Sequence, residues 1–209
     1  MALVKYNNNS LSAITAASSL TTGAMTLIKE QTASASSTIS FVDGTSDVVL
    51  DNTYPIYLFK FINIHPATRS NFTFNMSSDS GSNYNVTKTT TDIIAYHKED
   101  GGFSYLQYGG NDLAQGTGEV IISDLVNTNN DDNTSGSIFL FNPSSTTFVK
   151  HFMGRSSTTR LNNSAEIYMQ DTHIAGYGNT TSAVDAVQFK MSSDEIDAGT
   201  IKLYGIKDS

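Results

Sequence analysis

From Met25 onward, apolar residues recur at every second position. In "NFTFNMS", Phe72, Phe74 and Met76 fall on one face, and in "STISFV" Ile39 and Phe41 do the same. A period of two belongs to β-strands, whose successive side chains point to opposite faces. Further short strand-like runs are "MTLIKEQ", "DIIAYH", "FSYLQY", "EVIISDLV", "SIFLFN", "TTFVKHFM", "AEIYMQ", "HIAGYG", "AVQFKMS" and "TIKLYGI". "PIYLFKFINI" (Pro55 to Ile64) is apolar on both faces, which predicts a strand covered on both sides. "KEDGG" between two alternating runs predicts a hairpin, and "NTNNDDNTSG" a polar loop. Roughly a dozen strands spaced about 8–15 residues apart, uninterrupted by a long helical pattern, predict an all-β antiparallel β-sandwich of jelly-roll-like form. "FKFINIHPATRSNFTF" and "FLFNPSSTTFVKHF" share a plan of apolar strand, Asn, Pro, Ser/Thr-rich turn and aromatic strand, and so predict two similar hairpins.

The ends of the chain differ. Before the first strand, Leu11, Ile14, Ala17 and Leu20 fall at near-helical spacing behind Asn9 or Ser10 as possible caps. This predicts a short N-terminal arm or helix over residues 1–24, with a β-sandwich over 25–209. Alone the arm buries too little to be stable, so Leu11, Ile14 and Leu20 are expected to bind a partner or the chain's own domain. At the other end, Ile201 and Leu203 share one face of the last strand, and Lys202, Tyr204 and Ile206 the other. Apolar residues on both faces place that strand within the sheet, where it completes the domain.

Composition narrows the function. Charged residues make up 15% of the 209 residues, below the roughly 25% of ordinary soluble domains. Ser (27), Thr (25) and Asn (18) supply 70 residues, so hydroxyls and amides carry the polarity. The net charge of −8 disfavours a phosphate backbone as partner. Membrane insertion is not expected, because no apolar run reaches spanning length. "MALVKYNNNS" lacks the apolar run of a secretion signal, so synthesis in a cytoplasm is expected. There is no cysteine, which excludes disulfides and thiolate metal sites.

The candidate chemistry is sparse. His65, His97, His151 and His173 show no metal-ligand spacing. Asp131 and Asp132 supply loop oxygens suited to a hard cation, without the closing Glu of an EF-hand. "GGNDLAQGTGE" has no phosphate-binding pattern, and no GxSxG elbow occurs. Glu99 and Asp100, adjacent in a turn, read as solvated rather than as a glycosidase pair. Tyr96, Tyr105, Tyr108 and Tyr177 are candidates to stack on sugar rings. The expectation is a protein with no catalytic residue, metal or cofactor.

The blocks "FKFINIHPAT", "GSNYNVTKTTT", "AYH", "NDLAQGTG", "LFNPSSTTFVKHF", "AGYGNTTSAVDAVQFKMSS" and "DAGTIKLYGIK", taken together, resemble a group of virion proteins from tailed phages of marine bacteria, cyanophages included. The resemblance spans about residues 25–207. It implies a structural protein of the particle, partnered by the major capsid protein or by tail proteins, and carries no active site. A homotrimeric capsid decoration protein is the leading expectation, and a tail-associated domain that binds host-surface glycans is the alternative.

Overall fold

A computed structural model of the chain describes residues 24–207. The arm with Leu11, Ile14 and Leu20 lies outside the described residues. The alternating pattern becomes twelve strands: β1 (Met25–Ser36), β2 (Ile39–Val42), β3 (Ile56–Pro66), β4 (Ser70–Ser77), β5 (Lys88–Lys98), β6 (Ser104–Tyr108), β7 (Val120–Val126), β8 (Thr134–Phe141), β9 (Lys150–Leu161), β10 (Ile167–Gly178), β11 (Ala186–Met191) and β12 (Ile196–Ile206). Every pairing is antiparallel, and the described residues contain no helix. The fold is all-β and antiparallel.

The strands form one sheet that nearly closes into a barrel, in the order β1-β12-β3-β8-β9-β7-β4-β11-β2. Strand β9 is the junction. One edge pairs with β8 from Phe152 to Thr158, and beyond the end of β8 the same edge takes up β7 through Val126↔Arg160. At the open seam, Gln31 Nε2 of β1 donates to the Ser40 carbonyl of β2 (2.8 Å). The runs β1-β12-β3-β8 and β2-β11-β4-β7 reproduce the strand order of a jelly roll. They are joined in one continuous sheet, where the sequence had suggested separate leaves. The other edge of β9 carries a wing, β10-β5-β6. Strand β12 lies between β1 and β3, an interior position as its two apolar faces required.

Three sequence readings change. The two similar hairpins are not equivalent, because β8 pairs with β9 whereas β3 does not pair with β4. After Pro66 the chain crosses from one run to the other instead of turning back. "AEIYMQ" and "HIAGYG" are one long strand, β10. In "TTFVKHFM" pairing starts only at Lys150, and Phe148 is left exposed in the preceding loop.

The barrel interior is aromatic. Phe189 of β11 meets Phe41 (6.3 Å), Phe59 (5.4 Å), Phe72 (5.8 Å) and Phe74 (6.3 Å), and Phe74 meets Phe152 edge-on at 5.0 Å. All six rings are buried, and each contributes about 1.5–3 kcal/mol relative to exposure. Gly136 allows this packing: a Cβ there would lie 2.2 Å from the Arg155 carbonyl and 2.6 Å from the Phe61 ring.

The wing encloses a second interior of different character. Ser156 Oγ donates to the Ile122 carbonyl (2.7 Å), Ser123 and Thr134 hydroxyls meet at 2.7 Å, and Thr134 meets Thr158 at 2.8 Å. Arg160 pairs with Asp124 (2.9 Å) and lies over the Tyr96 ring at 5.2 Å. The loop over residues 109–119 closes the wing along β5, exchanging hydrogen bonds between Lys88 and Gly116 and from Thr90 N–H to the Leu113 carbonyl.

Candidate docking face

Strand β3 explains where the surface site lies. Tyr57, Phe59 and Phe61 point into the barrel and are buried. Leu58 points outward, in register with Tyr204 on β12 and Phe139 on β8. "SIFLFN" divides in the same way: Ile138 and Leu140 are core, while Phe139 and Phe141 face outward, their rings stacked 6.4 Å apart. The two-faced apolar pattern was expected to mean cover on both sides. The inner side is covered throughout, and the outer side only in part: Leu58 is buried beside its cross-strand neighbours, whereas Ile62 is exposed.

Cross-strand register turns these positions into a band. Leu27, Tyr204, Leu58, Phe139, Met153 and Ala175 are successive partners across six strands, β1 to β10. A neighbouring row brings Ile93 and Tyr108 onto the same face of the wing. Leu27, Ile93, Met153 and Tyr108 are each about half exposed, at 49–58%. Scattered exposed apolar residues are ordinary, but a continuous apolar band marks an interaction surface.

The band is deepest between β8 and β10, where small residues alternate with large ones. Ile93, Phe139, Met153 and Arg155 ring a groove of about 350 Å³ whose floor carries Ser137, Gly154 and Ala175. A second groove of about 440 Å³ shares Thr91, Met153 and Ala175 with the first and extends to Phe141, His151 and Tyr177. One rim is charged but paired. Arg155 donates from Nε (2.8 Å) and from a terminal nitrogen (2.7 Å) to the Asp171 carboxylate, and His173 lies 3.4 Å from it. Arg155, and secondarily His173, hold the Asp171 carboxyl below the usual carboxylate range. This face offers shape and apolar area, with no free charge at its centre.

The other candidates scatter. His65 meets the Asn129 carbonyl (3.2 Å) and Asp197 (3.5 Å), His151 packs on Tyr177, and His173 sits on the groove rim. Among the described residues no group of three or more His, Asp or Glu side chains is arranged to hold a metal ion. Asp132 hydrogen-bonds Asn127 within its own loop. Asp100 pairs with Lys98 across the hairpin turn (2.8 Å), and Lys98 also reaches Glu166 (2.8 Å). That contact, with Asn162 and Tyr168, draws the Glu166 carboxyl down to about 2.

The tyrosines divide. Tyr96 is half-buried against Tyr168 and beneath Arg160, and Tyr177 is half-buried in the second groove. Tyr105 and Tyr108 are exposed on β6, and Tyr105 stacks on exposed Phe103 at 5.9 Å. Phe139 and Met153 were not singled out from sequence. Their signal was the outward half of "SIFLF" and "FVKHFM", which single-strand periodicity cannot distinguish from a covered face. Among the described residues no helix is long and apolar enough to cross a membrane. No protein-family model, curated protein or solved structure matches this chain.

Proposed function

We propose that the chain is a non-enzymatic structural component of a tailed-phage virion, a capsid decoration protein that docks on the head lattice through the band from Leu27 to Tyr108. The observation that carries this reading is the open apolar face of β8, β9 and β10 with its twin grooves. A partner's apolar side chains seated there would remove that area from water at about 25 cal/mol per Å² before the costs of association. The segment 1–24, with Leu11, Ile14 and Leu20, supplies a second attachment. Many weak two-point contacts on one lattice give a tight shell, and a homotrimer would suit a lattice junction. The block order resembling marine-phage virion proteins supports the same assignment.

The test is reconstitution on capsids of the cognate phage lacking this protein. Purified wild-type chain should load to hundreds of copies per particle. Met153→Lys with Ile93→Lys should melt like wild type, since both residues are half exposed, and should load at least tenfold less. Full loading by the double variant would remove the face from consideration.

The exposed stack of Phe103 and Tyr105 on β6 favours a second reading: a tail-associated receptor-binding domain for host-surface glycans. Under that reading only a few dozen copies or fewer would be present per virion, and Tyr105→Ala would abolish cell adsorption.

A further inference from the structure

Buried lysine is rare, because desolvating an ammonium is costly unless it is paired. Lys88, where β5 begins, is completely buried. Its Nζ lies 2.5 Å from Oδ1 of Asn75, itself 1% exposed on β4, and 2.6 Å from the Val86 carbonyl. The Asn75 carboxamide is held from every side. Oδ1 also accepts from the Met76 N–H (2.9 Å), while Nδ2 donates to the Tyr84 (2.7 Å) and Thr117 (3.2 Å) carbonyls. The register Phe74↔Val120 sets Glu119 opposite Asn75 on the same face of the sheet. Glu119 Oε1 pairs with Lys190 (3.0 Å), whereas Oε2 is buried without a hydrogen-bond partner. An amine and a carboxamide thus touch in a buried place, with the part-exposed carboxylate of Glu119 set beside Asn75.

We infer that Lys88 and Asn75 join in the folded chain as an intramolecular isopeptide, with Glu119 as proton carrier. The unprotonated Nζ attacks Cγ of Asn75 and forms a new C–N bond. Negative charge gathers on Oδ1, where the Met76 N–H is already aimed. Glu119 takes a proton from the attacking nitrogen and delivers it to Nδ2. The Cγ–Nδ2 bond breaks, and one ammonia leaves from between the Tyr84 and Thr117 carbonyls. The product is a secondary amide. No oxidant, reductant or other reactant is required, and each chain reacts once. Contact between the two groups supplies the proximity that makes an otherwise slow amide exchange intramolecular. Burial lowers the Lys88 ammonium to about 8 against the opposing pull of Glu119, so part of the amine is unprotonated near neutral pH. The bond would tie β4 to β5 and close the segment that leads into the wing, a covalent staple in a chain without cysteine. This chemistry is independent of the docking face.

The experiment is intact mass spectrometry of the full-length wild-type chain, followed by trypsin. The expected mass is about 17 Da, one ammonia, below that of the sequence. Acylated Lys88 is no longer a trypsin site, so residues 70–98 should appear as one fragment with the same deficit. Lys88→Met should carry the full sequence mass. Glu119→Gln, which keeps the shape of the side chain, should accumulate uncrosslinked chain. A wild-type chain of full sequence mass overturns the inference. So does a light chain that trypsin still cuts after Lys88, which would signify a succinimide at Asn75. Complete crosslinking of the Glu119→Gln variant would overturn the role given to Glu119.

Discussion

Strand β9 builds two interiors that differ in kind. Near its start Phe152 enters the barrel and packs edge-on against Phe74. Farther along, Ser156, Thr158 and Arg160 enter the wing and bind through oxygen and nitrogen. The barrel interior is held by apolar area, which is non-directional and tolerates small shifts. The wing interior is held by hydrogen bonds, each of small net worth but costly when left unmade. The barrel therefore supplies stability. The wing supplies geometry at a local cost, visible in the buried, unpartnered Oδ1 of Asp92 and Oε1 of Gln170. The apolar grooves lie over residues 151–155 of β9, between β8 of the barrel and β10 of the wing, so both parts shape the docking surface.

The strongest way to break this contrast is to charge the barrel. Phe74 is 2% exposed and wedged between Phe152 and Phe189. Phe74→Asp removes an aromatic core side chain, worth about 3–5 kcal/mol on truncation, and adds an unpaired buried carboxylate worth several more. The sum rivals the whole stability of a domain, about 5–15 kcal/mol. The variant should show no cooperative melt by circular dichroism. A melt like that of wild type would mean that the barrel interior is not the source of stability.

A smaller effect is expected where the wing is tightest. Gly109 sits against the Asp92 carboxylate: a Cβ there would lie 1.8 Å from Oδ2 and 2.3 Å from Cγ. Gly109→Ala must push a buried side chain aside, a typical overpacking cost of about 1–3 kcal/mol. For a chain of this size each kcal/mol lowers the melting temperature by about 2–4 °C. Gly109→Ala combined with Asp92→Ser should recover most of the loss, because the two changes share one clash. An unchanged melting temperature for the single variant would show that Asp92 is not fixed beneath the loop.

The barrel was legible in the sequence and the wing interior was not, for a physical reason. Phe72, Phe74 and Met76 announce their face by their own alternation, and that face is the core. Asp92, Thr158 and Gln170 read as solvent positions, because polar residues at period two ordinarily face water. Their burial follows from long-range events, the placement of the 109–119 loop along β5 beside Asp92 and the pairing of β9 with β8 and β10 around Thr158 and Gln170, which single-strand patterns do not encode. The docking face failed differently. Phe139 and Met153 were visible as apolar, but whether a second apolar face is covered depends on what lies over it. Lys88 was hidden too, since one lysine in "NVTKTTT" looks like any surface lysine until Asn75 and Glu119 are brought beside it.

The finest test concerns Asp92 itself and has the opposite sign. Desolvation, helped by the charges of Asp112 and Asp124, holds its carboxyl above the usual range. A carboxyl raised in the folded state binds its proton more tightly there than in the unfolded chain. Its penalty is therefore full above the folded pKa and is relieved as pH falls through that value toward the unfolded one. Asp92→Asn removes the charge and keeps an acceptor for the backbone N–H of Asn111, so at neutral pH the variant should be the more stable by on the order of 1 kcal/mol. The advantage should shrink steadily as the solution is acidified, which melts of both proteins across that range would record. If the variant were less stable than wild type at neutral pH, the Asp92 carboxylate would be a favourable element of the wing. The distinction between an interior that stabilises and one that specifies would then lose its clearest example.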